Sequence, residues 1–467
     1  MRSLALACAL LAPLVTLLQA ADKPLTVKQD NYPLRAACSD TAEQIAALQK
    51  GVAVRIRYSL AGSDRPCYAV SVDMGGKKLQ GYVWADGLTG LEEFEKEQRS
   101  ASAAAASAAM PVMTRGEVEA ARSEAAESAK AGKVDYALAA QLNLAADALQ
   151  NNRPAEAEQI LAKAPAPPGQ PDVAMLRAYA LLALHQPSQA MSVLEPALQQ
   201  SPKDARLLAL AGHAAYSSDD PRRALAYWRD SLDLSPNPAL EQKYKQVEKE
   251  VGADKSGEKS YGMRFLLRYD TAVASPDLAR AMVAALDEEF SRIQFELGCP
   301  ADERIVTIVQ SREAYRQSSG AAEWSGGLYD GRIRIPIAPS HQIDPETRRV
   351  FAHEIVHACM SSIGRWPGWL QEGMAQKLAG ERLYPQQREV LKVMARNGKL
   401  PKLEQLGNGW ASLSATQASI AYGMSLAAVE IFFDKFSSIG ARNLMNNPAL
   451  LDQITPQLDQ ALADSLK

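Results

Sequence analysis

Charge of one sign is what this sequence most clearly lacks: 51 Lys and Arg stand against 54 Asp and Glu in 467 residues. No strongly basic surface is available to neutralise a nucleic-acid backbone, so nucleic acid is not an expected partner. Outside the N-terminus no stretch of 18 or more apolar residues occurs, which excludes a second membrane span. Histidine and cysteine are scarce, at five each, so any clustering of either carries information. With 47% hydrophobic and 22% charged residues the chain can build cores, and wholesale disorder is excluded. Its length predicts about three domains.

The first 20 residues read as a secretory signal. Arg2 supplies the positive start, Leu4 to Leu18 an apolar run broken only by Pro13 and Thr16, and Leu18-Gln19-Ala20 a cleavage site before Ala21. Cys8 lies too early in that run to be a lipidated residue and would be removed with it. The mature chain is then expected in a periplasm or outside the cell. Four cysteines remain, Cys38, Cys67, Cys299 and Cys359, in a compartment where disulfides persist. Three connectivities are open to them; proximity in sequence favours Cys38 with Cys67 and, less directly, Cys299 with Cys359. Free buried thiols are the other reading.

Residues 22–90 hold short β-rich runs, Val52 to Leu60, Cys67 to Met74 and Gly81 to Trp84, separated by turn residues such as Gly62-Ser63-Asp64 and Gly75-Gly76. This patterning predicts a small β-barrel. With its Gly81-Tyr82-Val83 step the segment resembles bacterial Src-homology-3-like domains, which implies either contact with cell-wall peptides or plain packing against a neighbouring domain. Residues 91–135 are rich in Ala, Ser and Glu and poor in large apolar side chains, so they read as a linker.

Between 136 and 250 the chain repeats itself. Ala190, Leu194, Ala197 and Pro202 recur 34 residues later as Ala224, Trp228, Ser231 and Pro236, and Ala178 and Gly212 keep the same offset. A looser copy carries Ala157, Leu161 and Ala164. The pattern resembles tetratricopeptide repeats, which implies a short α-solenoid whose concave face holds a peptide or protein partner, or serves as a spacer within the chain. His185 and His213 are expected inside these helices and read as ordinary packing or surface residues.

From 260 to 467 the patterning predicts an α+β domain. Met263 to Tyr269 and Ile305 to Val309 read as strands flanking a helix from Pro276 to Leu297, and the second half is helical. Here the scarce histidines gather, in the run Val350 to Met360. Asp344 is suited to cap a helix, Pro345 to begin it and Gly364 to end it, so His353, Glu354 and His357 are expected on one helix of about 18 residues. Histidines at i and i+4 lie one turn apart on one face, within reach of a single metal ion. They and Glu354 are the only strongly polar side chains of an otherwise apolar run, a costly arrangement without a cation beside it. A catalytic zinc takes three protein ligands and leaves a position for water. Glu372, 15 residues after His357 and past a break at Gly364 and Pro367, is the candidate third ligand.

His353-Glu354-x-x-His357 followed by Trp369-Leu370-x-Glu372-Gly373-x-Ala375 resembles the gluzincin zinc peptidases, particularly the peptidase MA-like domains often joined to tetratricopeptide repeats. The resemblance covers about 200 residues from Tyr261 onward. It implies a zincin-type fold, with zinc held by His353, His357 and Glu372, Glu354 as catalytic base, and a donor for the developing oxyanion on a later helix, for which Tyr422 is the candidate. His341, in the loop before the metal helix, is a weaker candidate for a role in catalysis. Upstream, Leu328 to Ile337 reads as a hairpin turning at Asp330-Gly331, with Pro336 on an exposed edge that could receive an extended peptide as an added strand. The Gly-x-Met-Glu-Asn motif of gluzincin aminopeptidases is absent and Gln371 stands where those enzymes often have Asn, which favours cleavage of internal bonds. A multidomain exported endopeptidase acting on a protein or peptide substrate is therefore the leading expectation. The rivals are a repeat-based adaptor with a structural or relict zinc site, and a cell-wall peptide hydrolase.

Overall fold

Alternation of inward and outward residues builds the first sheet. Val54 and Ile56 are buried on either side of exposed Arg55, and Tyr68, Val70 and Val72 face the same core. A computed structural model describes residues 25–36, 41–60, 67–91, 123, 136–151, 153–254, 257–300, 302–319, 327–337, 342–407 and 415–466. Strands β1 (Thr26–Val27), β2 (Tyr32–Arg35), β3 (Gln44–Leu48), β4 (Val54–Leu60), β5 (Cys67–Met74), β6 (Lys77–Trp84) and β7 (Leu88–Thr89) make up the N-terminal part. Five of them form an antiparallel sheet in the order β3-β2-β6-β5-β4, and β1 pairs with β7 in a separate ribbon. The three predicted strands are present, but the expected barrel does not close among the described residues, because β3 and β4 stand at opposite ends of the sheet. The signal segment with Cys8, Cys38, His341 and nearly all of the predicted linker lie outside the described residues.

The 34-residue period becomes a stack of helices: α1 (Tyr136–Gln150), α2 (Pro154–Ala162), α3 (Pro171–Ala183), α4 (Pro187–Gln200), α5 (Ala205–Ser217), α6 (Pro221–Leu234) and α7 (Pro238–Ala253). Proline opens five of the seven, where its missing N–H costs nothing. Asp204, Asp220 and Asn237 cap the last three by accepting from first-turn amides. The repeated positions are the buried ones: Ala190, Leu194 and Ala197 in α4, then Ala224, Trp228 and Ser231 in α6. Gly212 has a packing cause, since a Cβ there would lie 2.2 Å from the Trp228 indole nitrogen. This half of the prediction, a helical repeat, is present as expected.

The C-terminal part holds β8 (Glu258–Tyr261), β9 (Phe265–Tyr269), α8 (Pro276–Leu297), β10 (Ile305–Ser311), α9 (Arg312–Ser319), β11 (Leu328–Tyr329), β12 (Ile333–Ile337), α10 (Pro345–Ile363), α11 (Gly368–Leu378), α12 (Pro385–Arg396), α13 (Ala415–Asn446) and α14 (Leu450–Leu466). Its mixed sheet runs β11-β12-β10-β9-β8, with β9, β10 and β12 parallel and both outer strands antiparallel. Helix α8 makes the crossover from β9 to β10, as a parallel pair requires. Helix α13 is broken at Ser437, whose φ of 55° is left-handed. The predicted hairpin forms, but β11 rather than β12 is the outer strand, and Pro336 is buried rather than exposed. Cys299 and Cys359 are joined as expected, with Cα atoms 5.3 Å apart, tying the end of α8 to α10. Cys67 is also disulfide-bonded. Among the described residues no helix is long and apolar enough to cross a membrane.

Strand β12 has two contrasting faces. Ile333, Ile335 and Ile337 enter the core beneath α10, while Arg332 and Arg334 point the other way and are fully buried against the repeats. Glu250 of α7 receives both guanidinium groups, the Arg334 contact at 2.7 Å, and Tyr216 donates to it at 2.9 Å. Asp330 accepts from Arg334 at 3.0 Å, and the Arg332 guanidinium lies 3.8 Å from the centre of the Tyr216 ring. The two arginines hold the Glu250 carboxyl down at about 2 although burial alone would raise it. Withdrawing one member of such a buried set costs on the order of 3–5 kcal/mol.

Burial pushes His185 down to about 4 and His213 to about 3, so both are uncharged in the fold, whereas the unfolded chain protonates them near pH 6.5. The unfolded state therefore binds more protons below about pH 6.5, and the stabilisation, fully present above that pH, is lost as the pH falls towards these folded values. The urea midpoint is expected to drop between about pH 7.5 and about pH 4.5. In His213→Gln the same titration should show a shallower slope.

Candidate metal centre

Local signals set the register of helix α10, which carries the two histidines. Asp344 caps α10 by accepting from the Thr347 amide at 2.7 Å, Pro345 opens it, and it ends at Gly364. Phe351, Ile355, Val356, Cys359 and Met360 are buried in the core, which turns His353 and His357 to the opposite edge, with ring centres 4.9 Å apart. Pro367 then starts α11, which buries Trp369, Leu370, Met374 and Ala375. Two hydrogen bonds fix the turn between the helices: Trp366 Nε1 to the Met360 carbonyl at 3.0 Å and Gln371 Nε2 to the Trp366 carbonyl at 2.8 Å. Gln371 is thus occupied in shaping the chain.

This turn delivers Glu372 to the histidines. Its Oε2 lies 3.6 Å from His353 Nε2 and its Oε1 3.7 Å from His357 Nε2. Among the described residues this is the set of ligand atoms that all lie within 4.8 Å of one another. Those separations are too long for direct hydrogen bonds. They approach the spacing of about 3.3–3.5 Å between donors sharing one tetrahedral ion at 2.0–2.2 Å. Glu372 Oε2 is buried and has no hydrogen-bond partner, a costly state for a carboxylate oxygen and a fitting one for a metal ligand. Two imidazoles and one carboxylate therefore suit a divalent cation.

The surrounding charges agree. Burial alone would raise the Glu372 carboxyl, but His357 and His353 hold it below the usual range. Burial also disfavours an imidazolium at His353, yet Glu372 and Glu381 outweigh it and raise that ring well above 6.5. His357 is pushed down by burial to about 4, only partly offset by Glu372. Glu354 is 5% exposed, and burial lifts its carboxyl to about 7. Gly327, just before β11, lies against it so closely that a Cβ there would be 2.6 Å from Glu354 Oε1. Close approach also explains Tyr422: a Cβ on Gly373 of α11 would lie 2.4 Å from the Ser425 carbonyl, so α13 is drawn in. Burial, and then Glu372, Glu354 and Glu381, raise the Tyr422 hydroxyl well above 10.

One residue escaped the sequence reading. Glu381 follows α11 after Gly380, whose φ of +76° turns the chain back, and its Oε1 lies 3.3 Å from His353 Nδ1. A carboxylate on the far nitrogen of a ligating histidine fixes the tautomer that leaves Nε2 free for the ion. Nothing in the sequence marks it, because its role depends on a turn rather than on motif spacing. No family model matches the chain, and no curated protein is similar to it beyond chance. Replacement of Glu381 by Ala is expected to weaken divalent-cation binding about 10- to 100-fold. Competition with a chromophoric chelator measures this, and unchanged affinity would remove Glu381 from the centre.

Proposed function

We propose that the chain is an exported zinc peptidase that hydrolyses internal peptide bonds, with a gluzincin-like domain over residues 260–467, tetratricopeptide-like repeats over 136–250 and a Src-homology-3-like domain over 22–90. The observation that carries this reading is the convergence of His353, His357 and Glu372, with the buried carboxyl of Glu354 beside them. Zinc suits the donor set, and when bound it supplies a Lewis acid for the substrate carbonyl and acidifies water near neutral pH.

The remaining chemistry falls to the chain's own groups. Glu354, buried beside the ligand set, accepts a proton from the attacking water and later releases it to the leaving amine. Tyr422 keeps its proton at all working pH values and is the donor to the carbonyl oxygen as negative charge builds there. A purely structural metal site has no use for a carboxyl at Glu354, buried at a cost, which favours the enzyme over the adaptor with a relict site. Export accords with the Cys299–Cys359 disulfide, which persists in an oxidising compartment.

Glu354→Gln is expected to lower casein hydrolysis about 10²–10⁴-fold while the purified protein keeps its zinc. Tyr422→Phe should reduce kcat about 10²-fold. Undiminished hydrolysis in Glu354→Gln would overturn the mechanism, and a zinc-loaded wild type inert towards both casein and a peptide library would overturn the peptidase reading.

A further inference from the structure

The repeats touch the C-terminal domain along several elements, with Asp219 paired to Lys259 of β8 and Arg268 of β9, and among these contacts is the hairpin that runs past Glu354. Gly327 packs on Glu354, and the chain continues through β11 and the turn at Gly331 into β12; Arg332, just before β12, and Arg334 within it are buried on Glu250 and Tyr216 of the repeats. A second anchor lies at His185, which sits in the turn between α3 and α4 and not inside a helix as the sequence suggested, its φ being left-handed. Its Nδ1 is 2.9 Å from the Tyr329 hydroxyl of β11, and it also bonds the backbone at Ser361, one turn beyond His357 on α10. His185 takes a left-handed φ of 56°, unusual for a residue with a Cβ, in making these contacts. Two further contacts join the same surfaces: Arg365 to the Tyr179 hydroxyl at 3.1 Å, and Ser188 to Glu303. The helices that supply Tyr179, Tyr216 and Glu250 are α3 and α5, the first members of two successive helix pairs, and α7, the single helix that ends the stack. Tyr179 meets Arg365 beyond α10, while Tyr216 and Glu250 meet the hairpin, so these residues of the stack face the chain's own C-terminal domain.

We infer that the repeat region is an internal brace for the metal centre, in which Glu250 and His185 are positioning residues that hold Gly327 to Ile337 against Glu354. Neither reaches the ligand set: Glu250 acts through Arg332 and Arg334, His185 through Tyr329 and Ser361. The effect on catalysis rests on the peptidase reading given above, whereas the effect on the hairpin does not. Loosening either anchor frees the backbone at Gly327 to withdraw, and Glu354 then loses the wall that holds its carboxyl in place.

The test uses the full-length mature chain loaded with zinc. Amide hydrogen exchange is followed over residues 327–337, and kcat and KM are measured on a fluorogenic peptide selected from a casein digest. Glu250→Gln and His185→Ala are each expected to speed exchange in the hairpin at least tenfold. Exchange in α1, α2 and α14 should stay as in the wild type. Bound zinc should be unchanged, kcat should fall at least tenfold and KM should move less than threefold. His185→Gln, which can still bond the Tyr329 hydroxyl, should recover most of both properties. Should Glu250→Gln not fold, Tyr216→Phe removes one hydroxyl from the same anchor and is expected to act in the same direction. Wild-type exchange in the hairpin of a folded anchor variant would overturn the brace, as would a loosened hairpin with undiminished kcat. If the wild type cleaves nothing, the peptidase reading fails and the exchange measurement alone decides the brace.

Discussion

Three carboxylates, Glu354, Glu372 and Glu381, crowd two imidazoles at the edge of a hydrophobic core, and this concentration of negative charge is the constraint that the rest of the C-terminal domain serves. Such a cluster is expensive in a low-dielectric setting unless a cation joins it or protons neutralise it. The chain divides the burden. Glu372 keeps a buried oxygen without a hydrogen-bond partner, Glu381 leans on the far nitrogen of His353, and Glu354 is driven towards its protonated form. The apolar residues of α10 and α11 pay for the arrangement, and the close contacts at Gly373 and Gly327 shut it in on two sides.

How much of this could be read beforehand depends on whether the deciding signal was local. Helix α10 was legible because its cap, its opening proline and its terminating glycine are all properties of neighbouring residues. Glu372 was legible because a helix break at a set distance from His357 limits where the returning chain can go. The helical repeat announced itself through its period, and Gly212 through the offset it keeps from Ala178; the indole of Trp228 that requires it showed only in the fold. Glu381 was not legible, since its place follows from a single left-handed glycine beyond the end of a helix.

The arginines of β12 taught the opposite lesson. In sequence, Pro336 alone marked this strand as an exposed edge, because a proline cannot donate to a neighbouring strand. In the fold the face that carries Arg332 and Arg334 is dry, because the carboxylate that compensates it comes from Glu250, 82 residues away from Arg332. Burial of charge cannot be inferred from one partner when the other sits in a different layer of the molecule. Barrel closure in the N-terminal sheet is a similar case: strand patterning predicts strands, but closure depends on which end strands meet, and β3 and β4 do not.

The cystine between Cys299 and Cys359 has a topological effect apart from its geometry. The chain between its two halves contains β10, the hairpin, and both histidines of α10, so these parts together form a covalent ring. A single backbone cut anywhere within that ring opens it without releasing either end. One such scission therefore leaves both pieces of the ring still joined through the cystine, one to α8 and the other to the end of α10.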